Sequence, residues 1–130
     1  MTLVDTSFWI ALFVPRDSWH AEATRLWERG EAALSTNHVL GETWTFIRRR
    51  GGHGDAWRAI DAIRRSPRVT ILEVGAELER EAWEWLRRHD ERRYSFVDAT
   101  SFAVMRRERI RSALAFDGDF AAAGFAELRP

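Results

Sequence analysis

The chain has 130 residues, 45% of them hydrophobic, and its 20 basic and 20 acidic side chains cancel to a formal net charge of zero. That composition excludes a disordered chain and a strong global field toward nucleic acid, and it leaves enough apolar material for one core. No cysteine is present, which excludes disulfides and thiolate metal sites; every basic residue is arginine, which excludes a catalytic lysine.

Leu3-Val4 is a short apolar run ending in Asp5-Thr6-Ser7, read as a buried strand and a turn. Phe8 to Val14, stopped by Pro15, reads as a short buried helix. It is too short to span a bilayer, and Asp5 lies too near the start, with no basic residue before it, for a signal sequence. A cytoplasmic protein is expected. Ser18 is placed to cap a second helix through about Arg29, with Trp19, Ala23, Leu26 and Trp27 as its apolar stripe and Gly30 as its stop. Ala32 to Ser35 is a weak strand signal. Asn37 then reads as the cap of a helix through about Arg50, with Glu42 at the edge of its apolar stripe.

Gly51-Gly52-His53-Gly54 is a breaker, followed by a helix from Asp55 to about Arg65 that Ser66-Pro67 ends. Val69 to Leu72 is the best strand signal, and Glu77 to His89 is a strongly amphipathic helix. The charged run Arg87 to Arg93 reads as a solvated or ligand-facing loop. Ser95 with an acid three residues on at Asp98 forms a capping-box pattern. The helix that follows is apolar almost all round, the mark of a buried element. Ala113 to Phe116 reads as a strand, ended by Asp117-Gly118-Asp119-Phe120. A helical turn near Ala121 and a weak strand at Ala126 to Leu128 close the chain. Alternating short strands and helices predict one α/β domain over residues 1–130, a parallel sheet flanked by helices.

In a parallel sheet the strand C-termini and the helix N-termini share one edge, where ligands bind. Asp5 and Asp117 follow strands, while Asp98 and Glu42 lie in the first turns of helices. All four acids are therefore expected at one small volume. Carboxylates packed together repel and raise one another's pKa, and a hard divalent cation such as Mg²⁺ relieves this with oxygen ligands. Such a centre suits phosphodiester hydrolysis by an activated water. Each acid also has an ordinary role open to it. Asp5, Asp98 and Asp117 fit caps or turns, and Glu42 fits a helix edge. The histidines at 20, 38, 53 and 89 lack ligand-like spacing and are read as surface or packing residues.

Leu-Val-Asp-Thr-Ser at 3–7, Glu42 after Asn37, Ser-Phe-Val-Asp-Ala at 95–99 and Phe-Asp-Gly-Asp-Phe at 116–120, in this order and spacing, resemble a PIN-domain ribonuclease. More narrowly, the chain resembles a VapC-type toxin of a type II toxin–antitoxin pair, over essentially its whole length. The resemblance implies strand order 3-2-1-4-5 and Mg²⁺- or Mn²⁺-dependent cleavage of RNA. It assigns Asp5, Glu42, Asp98 and Asp117 as catalytic metal ligands, Asp119 as a variable ligand position, and Thr6 as a supporting hydroxyl. Where many members carry a hydroxyl two residues before the fourth acid, this chain has Ala115. A homodimer and a small VapB-like antitoxin are implied as partners, without a membrane. Rival readings are a nuclease of RNA maturation and a non-catalytic nucleic-acid-binding module on the same fold. An aspartyl-phosphate enzyme is disfavoured, since it wants Asp-x-Asp after the first strand and a lysine downstream.

Overall fold

The computed structural model describes residues 1–130 and places five short strands side by side: β1 (Thr2–Val4), β2 (Ala33–Thr36), β3 (Val69–Leu72), β4 (Ser112–Leu114) and β5 (Ala126–Glu127). Their order is β3-β2-β1-β4-β5, and every neighbouring pair is parallel. Both the order and the parallel class are as expected.

Seven helices cover the sheet: α1 (Thr6–Phe13), α2 (His20–Glu28), α3 (Asn37–Gly51), α4 (His53–Arg65), α5 (Ala76–Arg88), α6 (Phe96–Glu108) and α7 (Asp119–Ala122). Strand side chains alternate between the two faces. Val4, Ala33 and Leu114 pack with Phe8, Trp9, Leu26, Val39 and Ile60 from α1 to α4. Leu3, Leu34 and Ala113 pack with Leu78, Trp85, Phe102, Met105 and Phe120 from α5 to α7. Helix α6 is buried continuously from Asp98 to Met105. No helix is long and apolar enough to cross a membrane.

Several boundaries differ from the sequence reading, each for a local reason. Helix α1 starts at Thr6 because Asp5 itself is the N-cap, its side chain accepting from the Ser7 amide. Thr36, not Asn37, caps α3, its Oγ1 accepting from Val39 N at 3.1 Å. Asn37 enters the helix and its Oδ1 accepts from Val74 N at 2.8 Å instead, tying α3 to the segment after β3. The glycine-rich stretch breaks the chain only at Gly52, whose φ of 90° suits glycine; α3 runs to Gly51 and α4 begins at His53. Trp19 precedes α2 rather than joining its stripe, and it is 38% exposed.

Candidate metal centre

Asp5 lies at the carboxyl end of β1, one residue past the strand, where the parallel sheet opens. It is 2% exposed. Its Oδ2 accepts from Ser7 Oγ at 2.8 Å and from Ser7 N at 3.2 Å, while its Oδ1 is buried with no hydrogen-bond partner. Ser7 Oγ in turn accepts from Phe116 N at 3.1 Å, so one hydroxyl joins the first strand's acid to the loop after β4.

Asp98 closes the expected capping box. Its Oδ2 accepts from Ser95 N at 3.0 Å, and Ser95 Oγ accepts from Asp98 N at 2.9 Å. Asp117 closes a turn, its Oδ1 accepting from Asp119 N at 3.1 Å across Gly118, whose φ is 83°. The ordinary capping and turn roles are thus all real. They do not compete with a site, because each uses only part of the carboxylate's acceptor capacity.

Asp5, Asp98 and Asp117 each offer an oxygen to one volume, and the three atoms lie within 4.8 Å of one another. Burial pushes Asp5 well above the usual carboxylate range, the charges of Asp117 and Asp98 push it further, and the Ser7 hydrogen bonds oppose the shift. Asp98 is pushed up to about 7, chiefly by burial, with Asp117 and Asp119 adding and the Ser95 hydrogen bonds opposing. Asp117 is the exposed member of the three; partial desolvation raises its carboxyl most, the charges of Asp119 and Glu127 add, and hydrogen bonding from the Asp119 amide opposes the shift. Three acids that disfavour their own ionisation, one bearing an orphaned buried oxygen, form an all-oxygen donor set that fits a hard divalent cation.

Glu42 and Asp119 stand outside this trio. Glu42, on α3, lines a shallow recess with Asn37, His38, Gly41, Thr45 and Val97, the last adjoining Asp98. Asp119 Oδ1 accepts from Arg92 Nε at 2.5 Å, and Arg92 Nη2 also donates to the Asp117 carbonyl at 3.0 Å. The Arg92 guanidinium therefore clamps the loop from Asp117 to Asp119. Thr6 Oγ1 is buried without a partner, and the hydroxyl that orients Asp5 is Ser7. Ser7 was missed in the sequence reading, although an N-cap acid with a serine two residues on is the available signal. At Ala115, the carbonyl accepts from Arg129 Nη1 at 2.9 Å; support of Asp117 comes instead from Asp119 and Arg92. No histidine joins the trio. His20 bonds the Ala11 carbonyl, His38 pairs with Glu79, His53 meets Trp57 and His89 pairs with Glu91.

With this geometry in place, the PIN-domain family model matches residues 2–126. The chain belongs to the PIN-domain family. This PIN domain is 59% identical over 131 aligned residues to the 23S rRNA-specific endonuclease VapC20 of Mycobacterium tuberculosis strain H37Rv, covering 100% of this chain and 99% of that one. The VapC20 of strain CDC 1551 matches equally, at 59%. The crystal structure of M. tuberculosis VapC20, a sarcin-ricin loop cleaving toxin, superposes with a TM-score of 0.95 at 57% identity, over 100% of both chains. A toxin–antitoxin complex from Klebsiella pneumoniae superposes with a TM-score of 0.67 at 15% identity, over 94% and 91%, and shares the fold alone. By family and full-length likeness this PIN domain is an endonuclease, a hydrolase of the toxin class.

Proposed function

We propose that residues 1–130 act as one PIN-like nuclease domain, a divalent-metal-dependent endoribonuclease that serves as the toxin of a toxin–antitoxin pair. The observation that carries this reading is the convergence of Asp5, Asp98 and Asp117 oxygens within 4.8 Å at the open edge of the sheet. RNA as substrate, and 23S rRNA within it, is supported by the activity of the relative that is 59% identical over the full length.

Asp5, Asp98 and Asp117 would hold Mg²⁺ or Mn²⁺, with Glu42 and Asp119 approaching from the rim. The bound cation would neutralise developing phosphate charge and acidify a water for in-line attack on phosphorus. The chain's own part is positional. Ser7 fixes one oxygen of Asp5 and leaves the other free. The Ser95 cap fixes Asp98, and the Arg92 clamp sets the turn that carries Asp117. Arginines at the rim would place the RNA backbone by charge-assisted contact with phosphates. The domain would work in the cytoplasm as a homodimer, restrained by a small VapB-like antitoxin that inserts into the acidic crevice.

The test is incubation of the purified protein with total RNA, with Mg²⁺, with EDTA, and beside an Asp98→Asn variant. Discrete cuts that need the cation and vanish in the variant support the reading. Cuts that persist in EDTA or in Asp98→Asn contradict it.

A further inference from the structure

Beside the trio lies an open recess of about 240 Å³ lined by Ser7, Ile10, Asp17, Trp19, Arg50, Phe116 and Asp117. Two of its walls, Ser7 and Asp117, belong to the centre described above, so recess and centre are continuous. It falls below the roughly 300–1,000 Å³ of clefts that hold whole small-molecule ligands, so it suits one flat group better than a duplex.

The Trp19 indole stacks on Phe116 with centroids 4.7 Å apart and planes 6° from parallel. Phe116 is braced behind by Phe8, at 5.7 Å and 25°. The Arg129 guanidinium lies 5.3 Å from the Trp19 centroid and 5.1 Å from that of Phe116. Near-equal distances place it at the edge of the stack, not on the outer face of the indole. Phe116 is the indole's one ring partner, and Trp19 remains 38% exposed. The turn that presents it is fixed: Asp17 Oδ1 accepts from Trp19 N at 2.9 Å, and the Asp17 carbonyl accepts from His20 N at 3.0 Å. Arg50 Nη1 lies 3.8 Å from Asp17 Oδ2, offsetting that charge and bringing a phosphate-compatible guanidinium to the recess.

We propose that this recess is a nucleobase subsite, in which Trp19 stacks an unpaired base of the RNA adjoining the scissile phosphate while Arg50 meets the backbone beside it. The proposal rests on the nuclease reading and extends it from cleavage to substrate selection. An aromatic face with a cation alongside is the chemistry that holds single-stranded bases, and it is sequence-tolerant because every base has a π-face. A pre-stacked, pre-positioned indole loses little freedom on receiving one. The subsite therefore selects RNA whose cut site is splayed out of a helix.

The experiment uses a short RNA spanning the mapped cut in total RNA, with each flanking nucleotide replaced in turn by an abasic one. Kinetics are measured for the wild type, Trp19→Ala and Trp19→Phe. Base–aromatic stacking of the usual strength predicts about a tenfold to hundredfold loss of kcat/KM for Trp19→Ala, mostly in KM, with Trp19→Phe largely restored. One abasic position should reproduce the loss, and on that RNA Trp19→Ala should cost nothing further. Wild-type kinetics in Trp19→Ala, or losses that simply add at every abasic position, overturn the proposal while leaving the nuclease reading intact. If the wild type cuts no RNA, that reading fails separately. The subsite is then read by anisotropy of a labelled single-stranded RNA in EDTA, where equal affinity of wild type and Trp19→Ala overturns it. Unchanged circular dichroism of both variants excludes misfolding as the cause.

Discussion

Ser7 Oγ donates to Asp5 Oδ2 at 2.8 Å and itself accepts from the Phe116 amide at 3.1 Å, so a single side chain holds the first acid and the loop leading to the third in fixed register. This link crosses from the end of β1 to the end of β4. It accounts for how acids 112 positions apart share one volume.

Replacing Ser7 by Ala should loosen both ends. Supporting hydrogen bonds of this kind around metal ligands typically contribute 10–100-fold in metal affinity or activity. The expected result is a loss of that order in kcat with a raised half-saturating Mg²⁺ concentration, and a stability loss of about 1–2 kcal/mol. Steady-state cleavage over a Mg²⁺ series, with thermal unfolding in parallel, checks it.

The raised carboxyl pKa values set the direction of pH dependence in the metal-free protein. Asp98 ionises at about 7 when folded against a usual 3.8, and Asp5 and Asp117 are shifted the same way. Between those two values the folded state holds more protons than the unfolded chain, so stability falls as pH rises. The EDTA-treated protein should therefore melt higher at pH 5.5 than at pH 8. Saturating Mn²⁺ should raise the pH 8 melting point most, because the cation competes with those protons. Thermal scans at both pH values, with and without Mn²⁺, read this directly.

Asp98→Asn separates catalysis from stability. Asparagine retains an oxygen for the Ser95 amide and removes one charge from the trio. Cleavage should drop below detection. The metal-free variant should gain about 1–2 kcal/mol at pH 8, roughly 3–8 °C in melting temperature, relative to the metal-free wild type. Differential scanning calorimetry in EDTA checks the gain.

Glu42 should behave differently. The charges that raise Asp5 are those of Asp117 and Asp98, and Glu42 stands outside the trio. Glu42→Gln should lower kcat/KM about tenfold or more through its rim role, yet leave the metal-free melting point unchanged. A melting shift equal to that of Asp98→Asn would place Glu42 inside the repelling cluster.

The sheet class was legible because short apolar runs alternate with amphipathic helices, and α6 announced its burial by having no polar face. The acids were legible by position, since strand ends and helix starts share an edge. What escaped was orientation over one or two residues. Thr6 and Ser7 are neighbouring hydroxyls, and only the N-cap conformation of Asp5 (φ −91°, ψ 163°) decides which one turns back onto it. Thr36 and Asn37 posed the same ambiguity. Trp19 looked like core because tryptophans usually are; its exposure depends on a turn held by Asp17 and on Phe116, distant in sequence. Of the seven tryptophans, Trp9 and Trp85 are buried, Trp27 and Trp44 partly so, and Trp19, Trp57 and Trp83 are exposed.

The central claim is that three acids from β1, α6 and the loop after β4 hold one cation. A crystal soaked in Mn²⁺ and measured for anomalous scattering tests it most directly. The account predicts a peak within coordination distance of Asp5, Asp98 and Asp117 together, lost in Asp98→Asn. A well-ordered crystal with no peak there, or with Mn²⁺ held only elsewhere on the surface, would contradict it.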